Sequence, residues 1–283
     1  MSTAPALSPT AVARFHPCFD ERAHEWMGRV HLPVAPRCNI RCRFCERRVC
    51  ANLTIQHPGW TRKLLSPEQA VELVCRLARS WYGESTGDYP FVVGVAGPGE
   101  PLANAGTFEA LARVHELFPR LIKCVSTNGL LLEQELPRLL DVGVRAITVT
   151  VNAPDSVVGQ HIYAWVRHQG VTYRGREAAE VLIANQLRGI RAALDAGLAL
   201  KVNTVLVPGI NDQHVVRLAR LLSELGVGLM NIMPLIPGGQ MKDRRAPRCD
   251  ELGQARSNCE EWMPQVRWCE QCRADAIRTP MHQ

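Results

Sequence analysis

Three cysteines in one short loop constrain this chain more than any other feature of its sequence. Cys38, Cys42 and Cys45 are separated by three and then two residues, so one tight turn can place all three thiolates on the same side. Four-iron clusters normally take four thiolates, and a loop with three leaves one iron open to a small molecule. The spacing alone also leaves open a zinc knuckle that takes its fourth ligand from elsewhere in the chain.

Apolar runs alternate with helical patterns along most of the chain. The run 30–36 ends just before Cys38, which places the cysteine loop at the C-terminal end of a strand. Strands that alternate with helices form a parallel sheet, and barrel-like α/β proteins carry their active sites at that edge. The predicted strands are 30–36, 91–95, 121–126, 146–151, 199–207 and 229–233, and the main predicted helices are 20–28, 66–81, 107–118, 132–140, 177–196 and 213–225.

The ends of the predicted strands carry glycines and polar side chains. Residues 96–101 read Ala-Gly-Pro-Gly-Glu-Pro, whose glycines allow a backbone to approach a ligand closely. Asn128 and Asn152 follow the next two strands. The stretch 160–173 is predicted to be a long connection that forms a lid or flap over the site, and the tail 238–283 is polar with little periodicity.

Composition narrows the class of protein. The chain has 283 residues, 46% of them hydrophobic, which favours one large α/β domain. Its net charge of +6 is scattered and its aromatic content is only 6%, a pattern that disfavours nucleic-acid binding. No apolar run approaches the ~20 residues that span a bilayer. The eleven cysteines are an odd set without a secretory signal, so we expect a cytoplasmic protein with reduced thiols.

The remaining cysteines are ambiguous from their residues alone. Cys18, beside His16, is typical of an incidental thiol, and Cys124 lies in a strand where a small apolar side chain suits the core. Cys50 would either close the first cluster or serve a second metal centre. The pair Cys269 and Cys272 suggests an iron–sulfur site, a redox pair or zinc, and a zinc site could be completed by Cys249 and Cys259.

Taken in order, these motifs resemble the radical S-adenosylmethionine (SAM) superfamily, and within it the branch that builds nitrogenase cofactor. The branch-specific segments lie at residues 16–18, 34–36, 96–104, 124–130, 173–175, 207–212, 233–237 and 269–275. The resemblance implies an α/β fold, a partial (βα)6 TIM-like barrel with cysteine-bearing extensions at both ends. It divides the chain into an N-terminal extension (1–29), a radical SAM barrel (30–237) and a C-terminal extension (238–283), as in short members without a cluster-carrier domain.

The resemblance also assigns the site residues. It implies that Cys38, Cys42 and Cys45 bind the catalytic four-iron cluster, whose open iron is chelated by SAM. SAM itself is expected to contact Gly97, Gly99, Glu100, Asn128 and Asn152. Two auxiliary four-iron clusters are implied, the first on Cys18, His31, Cys50 and Cys124 and the second on Cys269 and Cys272, which leaves Cys75, Cys249 and Cys259 without a role.

The implied function is the fusion of the two auxiliary clusters, with a methyl carbon from SAM and an additional sulfur, into a carbide-containing eight-iron precursor of nitrogenase cofactor. The expected partners are an iron–sulfur cluster donor, a carrier or scaffold protein and a small electron donor, and neither nucleic acid nor a membrane is expected. One departure is that Leu53 stands where the branch usually has an acid. A divergent radical SAM enzyme with another substrate, or one that serves a nitrogenase-like enzyme, and a non-catalytic iron–sulfur scaffold are the alternatives.

Overall fold

A computed structural model describes residues 8–82 and 91–281 of the chain. The helices are α1 (Pro9–Arg14), α2 (Glu21–Trp26), α3 (Pro67–Tyr82), α4 (Ala105–Leu117), α5 (Leu132–Asp141), α6 (Ser156–Gly159), α7 (Gly175–Asp195), α8 (Val215–Glu224) and α9 (Cys249–Glu260). The strands are β1 (Gly28–His31), β2 (Ile40–Cys42), β3 (Arg48–Val49), β4 (Trp60–Thr61), β5 (Phe91–Val95), β6 (Ile122–Thr127), β7 (Val144–Thr150), β8 (Tyr163–His168), β9 (Val171–Arg174), β10 (Ala199–Leu206), β11 (Met230–Pro234) and β12 (Ile277–Arg278).

The main sheet of the described residues has seven strands in the order β11-β10-β7-β6-β5-β1-β12. Six of them are parallel, and only β12 pairs antiparallel, with β1. The sheet curls into a half-barrel, so the predicted α/β partial barrel is confirmed. The first strand ends earlier than predicted, at His31, because Pro33 and Pro36 have no N–H to continue its ladder.

The two faces of the half-barrel have different packing. The outer face carries the largest core, in which apolar side chains of the strands meet helices α3, α4, α5, α7 and α8. On the inner face, Val92, Ile122, Ala146 and Ala199 lie near the start of their strands and pack against Val12, Phe19 and other residues of the segment that holds α1 and α2. The N-terminal segment therefore fills the inner face at one end and leaves the other end for the site.

A β-hairpin occupies most of the long connection 160–173. Strands β8 and β9 pair antiparallel, and β8 also pairs with β2 inside the cysteine loop, with Ile40 opposite Val166. Backbone hydrogen bonds from Arg43 to Ile162 (2.8 Å) and from Arg167 to Asn39 (2.8 Å) complete this contact. The hairpin supports the cysteine loop through β2, and the predicted role as a lid stays a prediction.

The C-terminal tail is more regular than its sequence pattern predicts. Helix α9 buries only Ala255 and Cys259, so its apolar stripe is too sparse to recognise from the sequence. Strand β12 pairs with β1, and His31 donates a backbone hydrogen bond to Ala276 (2.9 Å). The tail therefore returns to the C-terminal end of the first strand. The division at residues 29/30 and 237/238 stays a prediction.

Within the described ranges, the longest and most apolar helices are still too short or too polar to cross a membrane.

Asn211 offers a test of how the strand ends are held together. Its side chain accepts a hydrogen bond from the Val207 amide (2.7 Å) and donates to the carbonyls of Asn152 (2.9 Å) and Val205 (2.8 Å). Asn211→Ala leaves these buried backbone groups unpaired, so we expect a loss of about 2–5 kcal/mol in the free energy of unfolding, measured by anaerobic denaturant titration. The control Asn258→Ala, on the exposed side of α9, should stay within about 0.5 kcal/mol of the parent, and equal losses in both variants would contradict this account.

Candidate active site

Most of the predicted site residues meet in one cavity of about 270 Å³ at the C-terminal ends of the parallel strands. The predicted residues that line it are Cys18, His31, Cys38, Cys42, Cys45, Gly99, Glu100, Cys124, Asn128, Asn152, Cys269 and Cys272. They come from the N-terminal segment, four strands or the loops that follow them, and the C-terminal tail. The structure thus brings together groups that lie up to 254 residues apart, since the set runs from residue 18 to residue 272.

The cysteine loop is held rigidly on two sides. On one side, β2 pairs with the β8–β9 hairpin; on the other, a 3-10 turn (Gly239–Met241) packs against it. Gln240 donates a backbone hydrogen bond to the carbonyl of Arg43 (2.7 Å), and a Cβ on Gly239 would lie only 2.6 Å from the same oxygen. Gly239 also has φ +52°, so glycine is required there both by its backbone conformation and by the close approach.

The three thiols of this loop are costly to ionise without a metal. Burial raises the pKa of Cys38 to about 11, and the nearby Glu100 carboxylate adds to the effect. Burial also raises the pKa of Cys42 far above its usual value, and the charges of Cys45 and Cys38 raise it further. Iron would relieve this repulsion because it binds the thiolate form, so the donor set fits a cluster with three protein ligands.

The Gly-Pro-Gly-Glu-Pro turn after β5 lies directly against the start of the cysteine loop. The Gly99 amide donates to the Ala35 carbonyl (2.6 Å), and the Glu100 amide donates to the Arg37 carbonyl (2.8 Å). A Cβ on Gly99 would lie 2.3 Å from that Arg37 oxygen, so only glycine fits. Asn104 ties the two segments further, since its amide donates to the carbonyls of Arg37 (2.8 Å) and Glu100 (2.7 Å).

Glu100 connects the ends of two neighbouring strands. Its carboxylate, 3% exposed, accepts hydrogen bonds from the Thr127 hydroxyl (2.5 Å) and from the backbone amides of Asn128 (2.7 Å) and Leu102 (3.1 Å). Burial raises the pKa of Glu100 to about 7, although these three donors favour the ionised form. The carboxylate lines the cavity and presents negative charge to whatever binds there.

Asn152 leaves a buried donor without a partner. Its side-chain oxygen accepts from the Val205 amide (2.9 Å), while its Nδ2 is buried and has no hydrogen-bond partner in the part of the chain that the structure describes. Asn128, by contrast, donates to the Asn39 oxygen (2.7 Å). An unpaired buried N–H group at a cavity wall fits a ligand that brings acceptor atoms, and SAM has such atoms in its carboxylate.

His31 and Cys124 face each other across a glycine. His31, Gly94 and Cys124 are in register on β1, β5 and β6, and a Cβ on Gly94 would lie 2.7 Å from the Cys124 sulfur. The Nδ1 atom of His31 lies 3.0 Å from the Arg273 carbonyl, which can only accept, so Nδ1 carries the proton. Burial and the Arg29 charge lower the pKa of His31, so its Nε2 keeps a lone pair that can bind iron.

Cys18 lies among cations that the sequence analysis missed. Arg29, 3% exposed, places Nη1 3.7 Å from the Cys18 sulfur and Nη2 2.7 Å from Glu270, the residue between Cys269 and Cys272. Burial raises the pKa of the Cys18 thiol, yet that pKa is well below its usual value, and the charges of Lys201 and Arg29 beside it favour the thiolate. Lys201, the charged residue of strand β10, was a signal in the sequence.

Cys50 and Gly97 are the two predicted site residues outside the cavity lining. Cys50 is exposed on a turn after β3, and its metal role stays a prediction. Gly97 has φ +142°, a backbone conformation that favours glycine, and it shapes the turn without lining the cavity. Leu53, which stands in place of an acid, is 6% exposed and belongs to the core. Residues 75, 249 and 259 also lie away from the cavity, as expected.

Cys249 and Cys259, which could complete a zinc site with Cys269 and Cys272, do not line the cavity with that pair. Within residues 8–82 and 91–281, no three side chains of His, Cys, Asp or Glu are grouped closely enough to hold a single metal ion. Zinc requires four ligands around one point, and Cys259 is buried inside α9 while Cys249 is exposed at its start. A four-iron cluster does not need its protein ligands to meet at one point, because each thiolate binds its own iron.

The fold matches known radical SAM enzymes. Residues 32–222 match the model of the Radical SAM superfamily. A radical SAM methyltransferase from Sphaerobacter thermophilus superposes with a TM-score of 0.53 over 89% of this chain and 70% of its own, at 19% identity. SuiB of Streptococcus suis, bound to S-adenosylmethionine, superposes with a TM-score of 0.59 over 87% of this chain and 52% of its own, at 12% identity. At these identities the likeness concerns the fold alone.

Relatives with closer sequences carry one common name. The FeMo cofactor biosynthesis protein NifB of Methanocaldococcus infernus is 45% identical over 93% of this chain and 84% of its own length. The NifB proteins of Methanocaldococcus jannaschii (45% identity; 94% and 86%) and Klebsiella pneumoniae (44% identity; 96% and 58%) are similar. The family implies a four-iron cluster and SAM as cofactors. The chain belongs to the NifB family of the radical SAM superfamily and is a radical SAM enzyme.

Proposed function

We propose that this enzyme fuses two four-iron clusters, with a carbon from SAM and an additional sulfur, into the carbide-containing eight-iron precursor of a nitrogenase-type cofactor. The observation that carries the proposal is the convergence of three ligand groups on one cavity. These groups are the cysteine loop, the wall with Cys18, His31 and Cys124, and the tail pair Cys269 and Cys272. The names of the relatives, which refer to FeMo cofactor biosynthesis, support the same reading.

The two auxiliary clusters are substrates in this proposal, and the chain supplies their ligands. Cys18, His31, Cys50 and Cys124 hold the first, and Cys269 and Cys272 hold the second. The cysteine loop would hold the catalytic cluster, and two molecules of SAM would supply the chemistry: one would give a methyl group, and the second, cleaved with an electron from the small carrier, would give the deoxyadenosyl radical that removes hydrogen from that methyl. Because Cys50 lies on an exposed turn, its share in the first site requires that turn to move inward when the cluster binds.

The residues of the chain bind, orient and exclude water. Glu100 fixes Thr127 and Asn128 at the edge where SAM is expected, and Asn152 offers its unpaired amide to an acceptor of the ligand. The neutral ring of His31 suits a substrate that must rearrange, because imidazole leaves iron more readily than a thiolate does. The half-buried walls keep water from reactive intermediates.

The location of the enzyme and its partner proteins are also part of the proposal. We expect a cytoplasmic enzyme that receives iron–sulfur units from a donor protein, takes electrons from a small carrier and passes its product to a carrier or scaffold. Leu53, buried where the family usually has an acid, favours one second candidate. This candidate is a divergent radical SAM enzyme whose different cluster product serves a nitrogenase-like enzyme.

Anaerobic reconstitution with iron and sulfide, followed by SAM and dithionite, tests the proposal directly. We expect about twelve irons per chain, about four for each of three clusters, and both S-adenosylhomocysteine and 5′-deoxyadenosine as products. Cys42→Ala should lose about four irons and all deoxyadenosine. About four irons in the parent, with deoxyadenosine alone, would reduce the enzyme to a generic radical SAM protein. Cluster transfer without SAM cleavage in Cys42→Ala would instead indicate a scaffold.

Glu100→Gln tests the role of the buried carboxylate. The substitution places an amide N–H where an oxygen now accepts from Thr127, Leu102 or Asn128, so SAM affinity should fall by about 10- to 100-fold. Equilibrium dialysis with SAM on the reconstituted protein measures this, with iron content unchanged. Glu135→Gln, a buried glutamate on α5 paired with Arg138, is the control, and equal affinities in the two variants would refute the assignment.

Serine substitutions test the first auxiliary site. Cys124→Ser removes a ligand that faces His31, so we expect a loss of about four irons per chain with the catalytic cluster retained. Cys75→Ser, on α3 and away from the cavity, should keep the full iron content. Iron analysis and EPR before and after SAM addition separate the centres. Full iron content in Cys124→Ser would remove this residue from the ligand set.

A further inference from the structure

His16 is a buried histidine on the cavity wall, and it has no role in the proposed reaction. Its ring is 2% exposed and packs edge-on against Phe19, with ring centroids 4.8 Å apart. The backbone amide of Cys18 donates a hydrogen bond to its Nδ1 at 3.1 Å. An N–H group can only donate, so Nδ1 is bare and the neutral ring carries its proton on Nε2.

The two histidines of the cavity therefore have opposite tautomers. His31 holds its proton on Nδ1, against the Arg273 carbonyl, and has a lone pair on Nε2. His16 holds its proton on Nε2, which is buried and meets no hydrogen-bond acceptor among the described residues. His31 is thus prepared to bind a metal, whereas His16 is prepared to donate. A buried donor without an acceptor is costly unless a ligand completes it.

The groups around Cys18 are also hydrogen-bond donors, and two of them are cations. Arg29 directs Nη1 at the Cys18 sulfur (3.7 Å) and is held in place by Glu270 (2.7 Å). Lys201, 3% exposed, lies over the Phe19 ring at 5.6 Å and also lines the cavity. The carboxylate that pairs with Arg29, Glu270, also accepts from Arg278 (3.2 Å). This wall offers donors and positive charge, which suits an anionic ligand with sulfur acceptors.

We propose that His16 is a positioning residue whose Nε2–H donates a hydrogen bond to a sulfur of the iron–sulfur unit bound by Cys18, with Arg29 and Lys201 supplying positive charge beside it. The inference rests on the proposed function, because it needs an auxiliary cluster at Cys18. Hydrogen bonds to sulfur and nearby positive charge both stabilise the reduced cluster and raise its reduction potential. Such a donor also holds the unit in place if the bond from His31 to iron breaks.

Two substitutions at His16 separate a donor from a ligand or a packing residue. His16→Phe keeps an aromatic ring against Phe19 and removes the N–H, whereas His16→Gln keeps an amide N–H near the position of Nε2. His115→Phe is the control, because His115 lies on α4 beside Lys123 and is not among the residues that line the cavity. The readouts are iron and sulfide per chain and an EPR-monitored redox titration, in which the catalytic cluster is recognised by its response to SAM.

We expect His16→Phe to lower the reduction potential of an auxiliary centre, or to lose its iron, while His16→Gln and His115→Phe retain the parent values. The catalytic cluster should be unchanged in all three variants. An unshifted potential in His16→Phe with full iron overturns the inference, and so does loss of iron in both His16 variants, which would make the imidazole itself the requirement. Only about four irons in the parent would instead defeat the proposed function, and this inference with it.

Discussion

The parallel pairing of β1, β5 and β6 sets the geometry on which the site depends. The register of β1, β5 and β6 aligns His31, Gly94 and Cys124 in one row across the strands. Side chains alternate between the two faces of a strand, so this row faces the inside of the half-barrel while its neighbours face the helices. Gly94 has no Cβ, and this gap is what allows the imidazole and the thiol to approach the same space.

The two ends of the chain meet at this row through polar contacts. The Trp268 indole donates to the Pro17 carbonyl (3.1 Å), and Arg29 pairs with Glu270 (2.7 Å), so the segments that carry Cys18 and Cys269 are fastened to β1. Because Arg29 is buried, removing Glu270 would take away the carboxylate that neutralises its charge in a poorly solvated place. The same contacts that close the fold therefore also hold the two groups of proposed auxiliary ligands relative to each other.

Local patterns in the sequence were enough to predict the parallel strands, their helices and the cysteine loop, since unbroken apolar runs and glycine turns carry that information within a few residues. The pairing of β8 with β2 was missed because Val166 follows its partner Ile40 by 126 residues, whereas the β8–β9 hairpin itself is local and turns at Gln169 and Gly170. Helix α9 was missed because it buries so little apolar surface. The site residues were identified by resemblance, but only the fold reveals that His16, Arg29 and Lys201 stand beside Cys18.

The tautomers show how backbone geometry assigns chemistry to identical side chains. A carbonyl at Arg273 forces the proton of His31 onto Nδ1, and an amide at Cys18 forces that of His16 onto Nε2. Neither choice is visible in the sequence, because each depends on which backbone group the ring meets. One ring is left with a lone pair and the other with an N–H, so the cavity wall carries an electron-pair donor on β1 and a hydrogen-bond donor on the N-terminal segment. In the proposed reaction, a cluster that loses its bond to His31 would still be held by the N–H of His16.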